Sequence, residues 1–239
     1  MKNKLSIVAI SDLHGYLPEI TEEADIMIIG GDISPLNIQR NKPKTKIWLE
    51  TTFLEWVNNL PVKKVFLVAG NHDFALEGLS DTEKYFFEKL FGGKLKYLEN
   101  ETFNHVDDNG CSWVIFGTPY CHIFSSGWVF MIPDDNMYFK FLKIPDEVDI
   151  IISHDPPYGV GEVDVILEQY NLNEPITHIG NKPLAKRLQQ IKYKFLCCGH
   201  IHSGSHIPYE FNGGKCVNVS IKDEDYQPIY HPFYYTLEK

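Results

Sequence analysis

The sequence predicts an α/β fold, on three observations. Six short aliphatic runs, LSIVAI, DIMIIG, VFLVAG, WVIFG, VDIIIS and KFLCCG, have the length and β-branched content of buried strands. Helical patterns lie between several of them, so strand and helix alternate through most of the chain. Every run ends in small or polar residues: SDLHG, GD, NHD, TPY, HDPP and HIH, in that order. In open α/β sheets ligands bind beyond the carboxyl ends of the strands, so six polar ends are expected to converge on one crevice.

Taken in order, LSIVAI (Leu5 to Ile10) is the first core strand. Its short apolar run stops at Ser11 and Asp12 without an A-x-A cleavage pattern, so it is not read as a signal peptide. DIMIIG follows, and then NIQRNKPKTK (Asn37 to Lys46), the most loop-like and the expected mobile segment. A helix is expected over Thr45 to Leu60, where Ile47, Trp48, Phe53, Leu54, Val57 and Leu60 are apolar. Beyond VFLVAG a second helix, Asp81 to Phe91, is capped by Ser80 or Asp81. After WVIFG, the aromatic stretch from Tyr120 to Phe141 reads mainly as core and lid packing, with one or two rings at a pocket. VDIIIS, a third helix over Pro183 to Ile191, and KFLCCG come next. The β-like runs CVNVS and FYYTL in the last quarter are expected to complete a second sheet. No repeat, low-complexity tract or linker divides the chain, so residues 1–239 are read as one domain.

Composition narrows the function classes. A formal charge of −10 disfavours a long polyanion, because nonspecific nucleic-acid binding depends on lysines and arginines that displace counterions. Bound cations would compensate part of that charge. No stretch approaches the roughly 18 apolar residues of a membrane span. The five cysteines form no CxxC pair, and adjacent Cys197 and Cys198 would face opposite sides of a strand. Buried reduced thiols in a cytoplasmic protein are the expectation.

The strand-end residues are Asp12 and His14, Asp32, then Asn71 with His72 and Asp73, His154, and finally His200 and His202. They make a nitrogen and oxygen set without sulfur, suited to a transition metal such as Mn²⁺, Fe²⁺ or Zn²⁺. Period-two alternation in a strand would place both members of D-x-H, and of H-x-H, on one face. Two divalent cations about 3.5–4 Å apart need a shared anion to relieve their repulsion, and Asp32 in GGD is the natural bridge. Taken singly, each motif is compatible with a strand end and a turn. Their joint occurrence in one chain is what points to a centre.

SDLHG, GGD, GNHD, SHDPP and CCGHIH, spanning residues 11–202, resemble the signature of the calcineurin-like metallophosphoesterase superfamily. GTPYCHIFSSGWVF, IPDEVDIIISHDPPYG and CVNVS are similar to its small metallophosphoesterase-domain-containing phosphodiesterase group. The resemblance implies a four-layer αββα sandwich of two mixed sheets flanked by helices. It implies one divalent ion held by Asp12, His14, Asp32 and His202, and a second held by Asp32, Asn71, His154 and His200, with manganese the metal expected in vitro. Some members of the group have Gly where this chain has His200, so its second set is complete. A hydroxide bridging the two ions would attack phosphorus, and His72 would protonate the leaving group while Asp73 orients its ring.

The leading reading is hydrolysis of small phosphodiesters, cyclic or linear nucleotides among them. A phosphomonoesterase or protein phosphatase on the same centre, and a noncatalytic scaffold of the same fold, stand beside it. Arg40 and Arg187 are the only arginines and neither lies in a metal motif, which argues against a phosphatase gripping a dianion. Tyr120, His122 and Trp128 are the candidate substrate contacts. His105, His178, His206 and His231 read as ordinary surface or loop residues.

Overall fold

A computed structural model of the chain describes residues 3–166, 177–204 and 206–239. Two mixed sheets face each other. The first is built from β1 (Lys4–Ile10), β2 (Ala24–Ile29), β3 (Val62–Leu67), β4 (Leu95–Tyr97) and the last strand, Phe233–Glu238, which is β11. Its order is β11-β1-β2-β3-β4, parallel except for β11 against β1. The second contains β5 (Glu101–Val106), β6 (Ser112–Thr118), β7 (Glu147–Ser153), β8 (Lys192–Cys198), β9 (Tyr209–Phe211) and β10 (Gly214–Asn218), in the order β5-β6-β7-β8-β10-β9. Its four central strands are parallel and its two edge strands antiparallel.

Strand periodicity sorts the side chains into layers. Leu5, Ile7 and Ala9 of β1 join Ile26, Phe66, Trp113, Ile150, Phe195 and Cys197 in a core between the sheets. The alternate residues Val8 and Ile10 pack outward with Met27, Val65 and Leu67 against helical residues Phe53, Val57 and Phe87. On the far side Phe116, Ile151, Leu196 and Cys198 pack against helices carrying Met137, Phe141, Leu184 and Leu188. The result is helix, sheet, sheet, helix, and Cys197 and Cys198 do point to opposite faces.

Helix α1 (Lys42–Trp48) begins inside the segment expected to be a loop. Asn41 caps it by accepting from Lys44 N, and Pro43 lies in the first turn, where its missing N–H costs nothing. A π-helical turn (Leu49–Phe53) carries it into α2 (Leu54–Asn59). Helix α3 (Asp81–Leu90) starts at a capping box in which Ser80 and Glu83 satisfy each other's backbone N–H. The aromatic stretch contains an unexpected helix, α4 (Asp134–Phe141), which follows Pro133 and buries Met137 and Phe141 four residues apart. Helix α5 (Lys182–Leu188) is capped by Asn181 and is shorter than its sequence pattern suggested. Among the described residues no helix is long and apolar enough to cross a membrane.

Candidate metal centre

The turns beyond β1, β2, β3, β7 and β8 bring the strand-end residues together, but not by strand alternation. β1 ends at Ile10 and β8 at Cys198, so neither D-x-H nor H-x-H lies in a strand. Asp12, His14, Asp32 and His200 instead have φ of 58°, 44°, 53° and 66°, the left-handed region that L residues rarely occupy. Such strain is retained only where surrounding contacts hold it. Here Asp12 N donates to Gly31 O (3.0 Å), His14 N to Asp32 O (2.8 Å) and Gly199 N to His154 O (3.0 Å). The left-handed turn splits the H-x-H pair. His202 meets Asp12 and His14, whereas His200 meets His154.

Hydrogen bonds fix which nitrogens face inward. His154 Nδ1 donates to Gly30 O (2.8 Å) and His202 Nδ1 to Asp223 O (2.8 Å), so in the neutral rings each Nε2 carries a lone pair. His154 Nε2 then faces Asn71 Oδ1 at 3.1 Å and Asp32 Oδ2 at 3.4 Å. His202 Nε2 faces Asp12 Oδ1 at 3.4 Å and His14 Nε2 at 3.4 Å. With neutral rings these are acceptors pointing at acceptors inside the protein, an arrangement that added positive charge satisfies, either a proton on the ring or a metal ion between the groups. Two imidazole nitrogens bound to one tetrahedral ion at about 2.0–2.1 Å would lie about 3.4 Å apart, so the His14–His202 pair fits such an ion. Asp32 stands between the groups: Oδ2 is 3.8 Å from His14 Nε2 and 3.4 Å from His154 Nε2, while Oδ1 accepts from His72 N at 2.7 Å.

The electrostatics make the same demand. Burial opposes the charge on Asp32, yet the imidazoles of His154 and His72 hold its carboxyl well below the usual range. Burial likewise works against protonated His154, but the charge of Asp32 pushes this ring up to about 10, and Asp12 carries His202 up to about 9. His14 and His200, by contrast, are brought down to about 3 and 4 by burial. Buried carboxylates here draw positive charge onto whichever ring is nearest, and divalent cations would supply that charge in place of protons.

Asp73 does not touch His72. Its carboxylate accepts from Gly70 N (2.8 Å), Ser34 N (3.0 Å), Ser34 Oγ (2.7 Å) and Ile33 N (3.3 Å). It therefore ties the GNHD turn to the GGD turn and does not orient the imidazole. Burial and the charge of Asp32 push it up to about 6 against these donors. Asp73→Ala, which strands buried donors, is expected to cost about 3 kcal/mol or more, roughly 6–12 °C in Tm for a domain of this size. A thermal melt within about 2 °C of wild type would show that the two turns do not depend on it.

His72 Nδ1 instead lies 2.6 Å from Oε1 of the buried Gln39, and Trp128 lies against its face at 4.2 Å. Both Trp128 and His122 line a cavity of about 310 Å³ over the centre, together with Phe124, Tyr226 and Glu224. His122 donates from Nδ1 to Asp155 Oδ2 (2.9 Å), a carboxylate also bound by Asn181. Tyr120 is not in this cavity: it packs against the outer core and its hydroxyl accepts from Lys140 Nζ (3.1 Å). Sulfur is nearer than the sequence suggested, because Cys121 Sγ lies within 4.8 Å of a ring nitrogen of His154 and one of His200. Gln39 and Tyr226 gave no signal in sequence. One sits in a polar segment, and the other reaches His14 and His202 from a turn more than twenty residues beyond His202.

Known proteins resemble the chain over nearly its whole length. Human metallophosphoesterase domain-containing protein 1 is 28% identical over 94% of this chain and 68% of its own length. An uncharacterised protein of Methanocaldococcus jannaschii is 26% identical over 84% of this chain and 82% of its own. Among solved structures, the phosphopantetheinyl hydrolase of Mycobacterium tuberculosis shares the fold with a TM-score of 0.52 at 11% identity, covering 98% of this chain and 95% of that one. The family model for calcineurin-like phosphoesterases matches residues 5–204, a span that takes in every candidate metal ligand from Asp12 to His202, and the chain belongs to that family.

Proposed function

We propose that the protein is a binuclear metal-dependent phosphodiesterase acting on small diesters, cyclic or linear nucleotides among them. The observation that carries the metal part is the convergence of bare Nε2 atoms and carboxylate oxygens around Asp32. Asp12, His14, Asp32 and His202 would hold one ion, and Asp32, Asn71, His154 and His200 the other. Bound there, divalent cations supply hydroxide near neutral pH and neutralise charge on the phosphoryl oxygens. With four imidazoles in the set, Mn²⁺, Fe²⁺ or Zn²⁺ fits better than Mg²⁺ or Ca²⁺, and Mn²⁺ is the form to test first in vitro. His72, whose Nε2 lies 3.9 Å from Asp32 Oδ2, would give the leaving oxygen its proton. His122, braced by Asp155, would contact the ester.

The diester preference rests on what lines the cavity. Among the described residues it carries no lysine or arginine, and Glu224 adds an acidic group. Neither arginine lines it: Arg40 binds Gly127 O (2.9 Å) and Arg187 binds Asp146 (2.8 Å), so no guanidinium is placed there to grip a phosphate dianion. A monoanionic diester suits this lining better, and Phe124 and Trp128 offer a base or aryl group an apolar wall. With the same metal loaded, kcat/KM for a small aryl diester or a 2′,3′-cyclic nucleotide is expected to exceed that for the matching monoester. The reverse order in side-by-side assays would remove the diesterase reading and leave the metal centre standing. No turnover of either ester by protein holding its metals would favour the scaffold.

A further inference from the structure

The His72 ring is held at its edge by Gln39 and on its face by Trp128, which Arg40, the residue after Gln39, holds in turn. At the edge, Gln39 Oε1 lies 2.6 Å from Nδ1. An amide oxygen only accepts, so Nδ1 bears the hydrogen, and the other nitrogen is the one turned toward Asp32. On the face, Trp128 lies with its ring 4.2 Å from the imidazole and 33° from parallel. Arg40 holds that tryptophan in turn, its guanidinium 4.7 Å from the Trp128 ring and 4.6 Å from Phe74, with Nη1 on Gly127 O. Gln39 is itself fixed: its N–H donates to Pro35 O (2.9 Å), and Thr45 Oγ1 of α1 binds Ile38 O (2.9 Å). The backbone that carries Gln39 is thus tied to the first turn of a helix and is not a free loop.

We infer that Gln39 is the positioning residue for His72: its side-chain oxygen selects the Nδ1–H form of the ring and aims Nε2 at the ester's leaving oxygen. The inference rests on the reading of His72 as the acid. In the transfer, the Nε2–H bond breaks as the leaving oxygen gains its hydrogen, and the ring is left in the Nδ1–H form that Gln39 already binds. No tautomer change is needed between turnovers. A carboxylate at this position would add charge as well as direction, whereas the amide supplies direction alone.

The test uses the zinc-loaded protein, in which ¹⁵N shifts of His72 report which nitrogen is protonated. Wild type is expected to show Nδ1–H in the neutral ring. Gln39→Met keeps the bulk and removes the acceptor, so it should lose that preference, and Gln39→Glu should restore it. In kinetics Gln39→Met is expected to lower kcat on the order of tenfold for an alkyl ester, with KM unchanged, and to change an ester with an acidic leaving group little. An Nε2–H ring in wild type, or a Gln39→Met protein that keeps the wild-type tautomer and kcat, would overturn the role of Gln39. Failure of the acid reading has a different signature, equal losses for all leaving groups in His72→Ala, and the ¹⁵N result is independent of it. If Gln39→Met did not fold, Gln39→Ala read by the same shifts would decide the question.

Discussion

Asp32→Ala is expected to lower bound metal from about two ions per chain to less than one and to abolish hydrolysis. The carboxylate does two jobs that no neighbour duplicates. Its Oδ2 lies within 3.4–3.8 Å of inward nitrogens on both sides of the centre, and its Oδ1 holds the backbone N–H of His72. Without it, two divalent cations would face each other with no shared carboxylate to relieve their repulsion, so the loss would fall on both ions at once. Replacing even an outer partner of a metal ligand costs about 10–100-fold in affinity, and a shared ligand should cost more. Asp12→Ala provides the comparison: Asp12 Oδ1 faces His202 Nε2 at 3.4 Å and in the proposed scheme Asp12 serves one ion, so its loss should deplete that ion first. Metal analysis after gel filtration in metal-poor buffer separates these outcomes. Two ions retained by Asp32→Ala at wild-type affinity would mean that Asp32 is not shared. Excess chelator should abolish wild-type turnover, and full activity in its presence would dispose of the metal reading altogether.

Much of this centre could be read from sequence because each ligand candidate follows an apolar run. The runs fix the strands, and parallel strands deliver their carboxyl ends to one edge. Less legible was how the side chains converge. Period-two alternation was the wrong reason for grouping D-x-H and H-x-H, since both pairs lie past the strand ends, in left-handed turns that no local rule assigns to Asp or His. Asp73 was misread for a related cause. Adjacency to His72 suggests a partnership, but the turn directs the carboxylate at backbone N–H groups of Ser34 and Gly70. Gln39 was hidden because a long-range contact across thirty-three residues leaves no periodicity. Tyr120 was overvalued because a strand-end aromatic can turn toward either layer, and this one turns toward Lys140 and the outer core. Helix α4 was masked by its aromatic content, which favours strand or core by propensity, until Met137 and Phe141 found the outer face of the second sheet.

His72→Ala should keep its metal and lose on the order of 10²-fold or more in kcat for esters with basic leaving groups. The ring is nearly enclosed: Trp128 covers one face, Tyr226 and His14 approach with ring centroids at 6.4 and 4.7 Å, and His72 is only 7% exposed. Burial pushes the imidazole below its usual range, which makes its proton easier to release once it is acquired. In the proposed division of labour its backbone N–H serves Asp32 and its ring serves the ester, so alanine removes the second function and leaves the first. Metal content near wild type is therefore part of the expected result. The decisive variable is the leaving group. An alkoxide departs badly without a proton, whereas a nitrophenolate needs little help, so the loss should shrink steadily as the leaving group becomes more acidic. A loss of the same size across that series would assign His72 to holding the phosphoryl group and not to proton transfer.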